Sequence, residues 1–257
     1  MKRTVLLVFI GILFFSLSSR TFAMTGKEIA QKVHDRENGN SSLIETKMIL
    51  INENGQEKER SIRAVSKEYG ELSKTMIRFL SPADVKGTGF LVWENTGRDD
   101  DQFLYLPALK QDPRRIASSE KSSRFMGTEF TYEDLESRKV DDDAHTLLRE
   151  ETYKAIKCYV VESVPKNSKD TQYSKYISWI RPDIWLPIKI EFYDKNGELL
   201  KIMTANTIEK IDGIWTVMES EMDNVQEGKK TRLIIDKIQY NLAIPDDYFT
   251  ERYLKKE

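Results

Sequence analysis

The sequence contains one local cluster of basic residues, in a serine-rich segment near the middle of the chain. It contains Arg114, Arg115 and Arg124, together with a lysine and four serines. A guanidinium group binds phosphate or carboxylate through paired hydrogen bonds, and neighbouring hydroxyls can add further bonds. We therefore predict that these three arginines bind an anionic headgroup. The alternative is a solvated loop whose charges pair with residues 99–101 or with Glu129.

Residues that could support covalent or metal chemistry are few and scattered. His34 and His145 do not fit any metal-ligand spacing, and Cys158 is the single cysteine, so no intramolecular disulfide can form. The aspartates at 99–101 and 141–143 could bind a hard cation, but they lack the glycine and the distant glutamate of an EF-hand. Nucleophile-elbow, P-loop and dinucleotide motifs are absent from the sequence. We predict a protein that is not an enzyme and that uses neither a metal nor a cofactor.

The N-terminal residues have the organisation of an export signal. A basic start, Met1-Lys2-Arg3, precedes an apolar run at residues 4–17, and small polar residues then lead to Ala23. The run is short for a membrane span, so we predict a signal peptide over residues 1–23, cleaved after Ala23, and a periplasmic protein. An uncleaved anchor is the alternative. The formal net charge of −2 gives no electrostatic reason to expect nucleic acid.

Alternating apolar and polar residues dominate residues 24–257, which we interpret as a single domain. Residues 188–193 illustrate the pattern, with Ile188, Ile190 and Phe192 predicted on one face. Glycine-containing turns separate about eleven such strands. Thr25 and Glu28 form a capping-box pattern that predicts a helix over residues 26–36, and a second helix is predicted within residues 129–137. The fold class is therefore mainly β with few helices.

So few helices cannot cover so many strands, so the antiparallel sheet must curl over them or close on itself. Between residues 110 and 124 a polar stretch interrupts the apolar strands, before apolar residues return at Phe125. Polar excursions of this length are uncommon in a compact sheet. We expect this segment to fold across a face or a mouth of the sheet.

Four segments resemble the periplasmic outer-membrane lipoprotein-sorting proteins, in a LolA-like branch longer than LolA itself. They are KGTGFLVWE (86–94), DDQFLYLPALK (100–110), RRIASSEKSSRFMGTEFTYEDL (114–135) and IPDDYFTERYL (244–254). The resemblance implies a curled antiparallel half-barrel, with helices covering the concave face and an apolar cavity for acyl chains. From the segments that carry the resemblance, we predict the following cavity residues: Phe90, Val92, Trp93, Leu104, Leu106, Phe125, Met126 and Phe130.

The resemblance also implies a function. The protein would be a periplasmic carrier, a monomer, that shields the acyl chains of a lipoprotein or lipid during transport to the outer membrane. Proteins of this branch often accompany RND-type exporters, so an inner-membrane RND-type transporter and an outer-membrane acceptor are the implied partners. Two alternative functions remain. The protein could be a sensor of the same fold that binds lipid or peptide and regulates the envelope-stress response, or a hydrolase of an envelope lipid.

Overall fold

The computed structural model describes residues 24–169 and 171–256. The predicted export signal and its cleavage after Ala23 therefore lie outside the described residues. Within the described ranges the chain forms two α-helices and thirteen β-strands. In chain order they are α1 (Gly26–His34), β1 (Ser41–Ile51), β2 (Glu57–Tyr69), β3 (Leu72–Ser81), β4 (Gly89–Trp93), β5 (Asp101–Tyr105), β6 (Arg114–Arg115), β7 (Asp143–Tyr153), β8 (Ile156–Pro165), β9 (Lys175–Arg181), β10 (Leu186–Tyr193), β11 (Leu199–Ile211), β12 (Ile214–Asn224), β13 (Lys229–Tyr240) and α2 (Glu251–Leu254).

All the described strands belong to one antiparallel sheet. Its order is β6-β5-β4-β3-β2-β1-β13-β12-β11-β10-β9-β8-β7, so two meanders are joined where β1 pairs with β13. The edge strands β6 and β7 do not pair with each other, and the sheet is open and curled. The mainly β fold is thus confirmed, but the count of about eleven strands was too low. The two-residue strand β6 has no apolar alternation that could have revealed it.

Hairpin turns form where the sequence places Asn-Gly and Asp-Gly pairs. Gly55 and Gly197 have φ angles of 76° and 80°, in the left-handed region that glycine tolerates best. Asp212 and Gly213 both have positive φ, as a two-residue hairpin turn with type I′ twist requires. The turns at Gly197 and Gly213 join β10 to β11 and β11 to β12.

Helix α1 begins with the predicted capping box. Glu28 N donates to Thr25 Oγ1, and Thr25 N donates to a Glu28 carboxylate oxygen at 2.7 Å. The helix ends at His34, two residues before the predicted end. A Cβ at Gly26 would lie only 2.6 Å from Thr146 N, so the first turn of the helix rests directly on the backbone of β7. Ile29 then packs on Val161 and Ile180, which fixes the helix over one face of the sheet.

We call this face the inner face. The pairing register of the strands identifies the residues that lie on it in the rest of the sheet. From β8 to β13, successive Cα partners on this face are Val161, Ser178, Ile190, Met203, Met222 and Thr231. At the other half of the sheet the inner face holds Phe79 and Phe90. The segment between β6 and β7 crosses here, and its Phe125 ring lies 4.9 Å from the ring of Phe90. An aromatic core therefore fills the inner face over β2 to β5.

The C-terminal segment packs on the opposite, outer face of the same strands. Leu254 of α2 is buried against Leu91, and Gly89 permits this contact because a Cβ there would lie 2.6 Å from Leu254 Cδ1. Arg78 Nη1 donates to the carbonyl of Leu254 at 2.8 Å and holds the end of the helix. The prediction that helices cover the concave face is thus correct for α1 and wrong for α2. The helix predicted over residues 129–137 is only a 3₁₀ turn, Glu133–Leu135.

Candidate binding cavity

An apolar cavity of about 340 Å³ lies between α1 and the inner face of β8 to β12. Val33 lines it from the helix, and Ile190, Met203 and Met222 line it from the sheet. Phe130 lines it from the crossing segment between β6 and β7. The sheet residues come from neighbouring strands in register, so alternation alone places them on the same side. Methionine adapts to ligands of different shape, which suits a binding cavity.

A second cavity of about 620 Å³ adjoins the first. Val33 and Met203 line both cavities. The far wall of the second cavity comes from the other half of the sheet and includes Ser42 of β1 and Ser66 of β2. Strands far apart in the sheet order therefore face the same space, because the sheet curls around it.

Arg138 lines both of these cavities and a third, polar one of about 430 Å³. Its Nε and Nη2 atoms donate to the carboxylate of Asp143 at 3.2 and 2.6 Å. Its guanidinium lies 4.4 Å from the ring centroid of Tyr176, and Nη1 approaches Glu133 Oε1 at 3.6 Å. These contacts hold a planar cation in one orientation where the three cavities meet.

His145 adds a hydrogen-bonded group to the wall of the apolar cavity. Its Nε2 lies 2.9 Å from the carbonyl oxygen of Val140, which can only accept, so Nε2 carries the proton. In the neutral ring Nδ1 therefore accepts from the hydroxyl of Ser163 at 2.8 Å. Within the described part of the chain, the Ser178 hydroxyl, which also lines the cavity, has no hydrogen-bond partner.

Buried polar contacts tie the crossing segment to the sheet beside the cavity. Asn224 Nδ2 donates to Glu129 Oε2 at 2.8 Å, and Lys201 pairs with Asp134. The Tyr173 hydroxyl donates to Asp134 Oδ1 at 2.6 Å, and burial raises the pKa of Tyr173 well above its usual value. The tyrosine therefore remains a donor at any ordinary pH.

Four of the predicted cavity residues are packed in the aromatic core and do not line the cavities described above. Phe90, Val92, Leu104 and Phe125 are at most 6% exposed and belong to one cluster. Tyr132 closes this cluster, with its ring 5.9 Å from the ring of Phe125. Of the eight predicted residues, Phe130 lines the 340 Å³ cavity. Ligand contact by any of them remains a prediction.

The other three predicted cavity residues lie outside both the 340 Å³ cavity and the fully buried part of the aromatic core. Trp93 faces the outer side, where it packs on Phe103 and donates its indole hydrogen to the Phe249 carbonyl at 2.9 Å. The sequence alone does not fix which face of a strand a residue occupies, because a slip of one residue along the strand exchanges the two faces. Ligand contact by Trp93 remains a prediction. Leu106 and Met126 are half-buried at the border of the aromatic core.

The three predicted headgroup arginines pair with carboxylates. Arg114 bonds to Glu120 at 2.9 Å, and Arg115 bonds to Asp101. Arg124 contacts Glu129, at 3.1 Å, and Glu227. None of the three arginines lines the cavities described above. An anionic ligand would compete with these carboxylates for the guanidinium groups, and the headgroup role remains a prediction.

Sequence reasoning missed most of the lining of the apolar cavity. Ile190 and Phe192 carried a signal, since their alternation predicts a half-buried strand. Ile188 was predicted to lie on the same face of the strand as these two residues. It is buried near Trp179 instead, because the pairing with β9 shifts between Pro187 and Lys189.

Among the described residues no cluster of histidine, cysteine, aspartate or glutamate is positioned to hold a metal ion. In the same part of the chain, no helix combines the length and the apolar character needed to cross a membrane.

Comparison with known proteins gives two solved structures at substantial identity. An outer membrane lipoprotein-sorting protein domain from Vibrio parahaemolyticus is 35% identical, with a TM-score of 0.85, over 90% of this chain and 98% of that one. A DUF1329 family protein from Desulfovibrio piger is 34% identical, also with a TM-score of 0.85, over 89% and 97% of the two chains. A family model described only as an uncharacterized protein matches residues 71–256.

A more distant structure supports the fold alone. A LolA superfamily protein from Nitrosomonas europaea is 22% identical, with a TM-score of 0.71, over 90% of this chain and all of that one. Among curated proteins none matches this chain significantly. The two closer structures cover almost the whole chain at more than 30% identity and share its curled sheet. The chain therefore belongs to the LolA-like family of outer-membrane lipoprotein-sorting proteins.

Proposed function

We propose that the protein is a periplasmic carrier that shields the acyl chains of a lipid or lipoprotein on their way to the outer membrane. The observation that supports this function best is the apolar cavity between α1 and the inner face of β8 to β12. It adjoins the 620 Å³ cavity, and both volumes fall in the range of about 300–1,000 Å³ typical of ligand pockets.

The properties of the lining fit binding that can be reversed. Burial of each methylene of an acyl chain contributes roughly 0.8 kcal/mol, so even partial insertion of a long chain gives useful affinity. Val33, Ile190 and Met203 are only partly buried, so each still exposes apolar surface that a ligand could cover. A carrier has to release its ligand, and an open, adaptable cavity favours release more than a closed one does.

The carrier breaks no covalent bond and needs no cofactor. It would receive its ligand at the inner membrane, with an RND-type transporter as the proposed source, and pass it to an acceptor at the outer membrane. These two partners follow from the family resemblance. No contact in the described residues favours the sensor function over the carrier function.

Saturable lipid binding tests the proposal. The purified protein, stripped of bound lipid, is titrated with a fluorescent fatty-acid probe, and the probe is then displaced with phospholipid or a lipopeptide. We expect one saturable class of sites, and native mass spectrometry of protein from its own periplasm should show a bound lipid. Folded protein that binds no probe at any accessible concentration would exclude the carrier function.

A further inference from the structure

The charged groups around the 340 Å³ cavity compensate one another. Four carboxylates line it, and three have a close cation. Asp134 pairs with Lys201, Glu136 with Lys121 at 2.9 Å and Asp143 with Arg138. The fourth carboxylate, Glu133, lies 3.6 Å from the same guanidinium.

Lys139 is the other cation that lines the cavity, and its ammonium donates to the backbone carbonyl of Asn95. Lys121 also pairs with Asp99 at 2.9 Å, so the four lining carboxylates and Asp99 share four cations, counting Lys139. Apart from Lys139, whose ammonium is held by the neutral Asn95 carbonyl, a charged headgroup that entered the cavity would lose its hydration without meeting an uncompensated charge of opposite sign among the described residues. Burial of a charge under these conditions is strongly unfavourable.

Hydrogen-bonding groups, in contrast, are available on the cavity wall. The Ser178 hydroxyl has no partner among the described residues. The Ser163 hydroxyl gives its hydrogen to His145, so its oxygen can still accept a hydrogen bond. The two serines lie on neighbouring strands and on the same face, because Ser178 pairs with Val161, two residues before Ser163.

We propose that the cavity prefers amphiphiles with an uncharged, hydroxyl-bearing head over fatty-acid anions and alkylammonium ions. This inference rests on the proposed carrier function and specifies its ligand class. The alkyl chain lies against the apolar residues of β10 to β12, and the head bonds to Ser163 and Ser178. The arginine-rich segment plays no part in this selection.

Three ligands with the same twelve-carbon chain length test the preference. Monolauroylglycerol, laurate and dodecylammonium each displace a neutral apolar fluorescent probe, N-phenylnaphthylamine, at pH 8, below their critical micelle concentrations. We expect monolauroylglycerol to bind at least about tenfold more tightly than either ion, because desolvation of the ion is uncompensated. Ser163→Ala and Ser178→Ala should each reduce this preference about three- to tenfold, as the loss of one hydrogen bond predicts.

Ser123→Ala is the matched control, because Ser123 is exposed and lines none of the cavities described above. Equal or tighter binding of laurate would overturn the inference. The inference would also be overturned if the preference for monolauroylglycerol were unchanged in both serine variants, or if laurate binding disappeared in Lys139→Gln. If the probe and all three amphiphiles fail to bind, the carrier function fails as well. If the ions bind and the preference is absent, the ligand class alone is wrong.

Discussion

Lys201 Nζ and Asp134 Oδ2 lie 2.5 Å apart, and neither side chain is more than 4% exposed. The lysine projects from β11, and the aspartate belongs to the segment that crosses the inner face between β6 and β7. Asp134 also accepts hydrogen bonds from the Thr131 backbone and from the Tyr173 hydroxyl. A single buried ion pair, with its hydrogen bonds satisfied, thus joins the crossing segment to the sheet beside the cavity.

Removal of one partner of this pair should be strongly destabilising. Lys201→Met leaves the Asp134 carboxylate buried without its counterion, which typically costs about 3–5 kcal/mol of unfolding free energy. Urea denaturation followed by circular dichroism measures this loss. Lys229→Met is the control, since Lys229 forms a more exposed pair with Glu227 and should change stability by less than about 1 kcal/mol. Similar losses in the two variants would show that the buried pair has no special role.

Local sequence patterns were sufficient for the elements whose structure depends on near neighbours. The capping box at Thr25 and Glu28 predicted the start of α1, and Asn-Gly and Asp-Gly pairs predicted the hairpin turns. These signals work because the hydrogen bonds or φ angles involved lie within a few residues. The position of the crossing segment depends on distant partners such as Lys201, and the sequence gives no local sign of them.

The cavity lining was harder to predict than the fold for a related reason. Alternation places Phe90 and Ile190 each on one face of a strand, and both prove to lie on the inner face. Whether such a residue meets a cavity or a packed core depends on what covers that part of the face. Phe125 covers Phe90, whereas the area near Ile190 remains open, and Trp93 is covered from the outer side by the C-terminal segment.

Phe125 and Phe130 should respond differently to truncation, although both belong to the crossing segment. Phe125 is 2% exposed inside the aromatic core, so Phe125→Ala should reduce the unfolding free energy by about 3–5 kcal/mol. Phe130 is partly buried and lines the cavity, so Phe130→Ala should weaken probe binding more than it weakens stability. Denaturation and fluorescence titration of both variants measure the two effects. A reversed result would place the binding site in the aromatic core.

A larger side chain at Val33 should close the cavity from the helix side. Val33→Trp fills space that both adjoining cavities share, and loss of room for about two methylenes should weaken acyl-probe binding about tenfold. Gln31→Trp is the matched control, because Gln31 is exposed on the same helix and lines neither cavity. Affinities come from fluorescence titration, and thermal melts confirm that both variants fold. Unchanged binding in Val33→Trp would place the ligand elsewhere.

Arg115 offers a direct test of the headgroup prediction. If the arginine-rich segment binds the headgroup, Arg115→Ala weakens the binding of anionic lipids more than the binding of neutral lipids, and added salt reduces this difference. The pairing of Arg115 with Asp101 favours the opposite result. In that case the ratio of anionic-lipid to neutral-lipid affinity stays within about twofold of its value in the original protein. Titrations with anionic and neutral phospholipids at low and high salt distinguish the two. A salt-sensitive drop in anionic affinity alone would restore the headgroup assignment.

Glu136 should make stability depend on pH near neutrality. Burial raises the pKa of its carboxyl to about 7, although Lys121 favours the charged form. Because the folded pKa lies above the ordinary value of 4.5, the folded state holds this proton more tightly than the unfolded state does. The resulting stabilisation is fully present below about pH 4.5 and is lost as the pH rises through about 7.

We therefore expect Glu136→Gln to remove part of the decline in stability between pH 5 and pH 8. The side chain keeps some contact with water, so the effect should be on the order of 1–2 kcal/mol rather than the full value that the pKa implies. Urea denaturation at several pH values measures it in the original protein and in the variant. Glu150→Gln is the control, because Glu150 is exposed on the edge strand β7 and should leave the pH profile unchanged. Nearby carboxylates such as Asp100 titrate in both proteins, so the difference between the two profiles reports Glu136 together with its electrostatic coupling to Asp99 and Asp100. Parallel profiles for Glu136→Gln and the original protein would mean that this carboxyl titrates at the same pH in the folded and unfolded states.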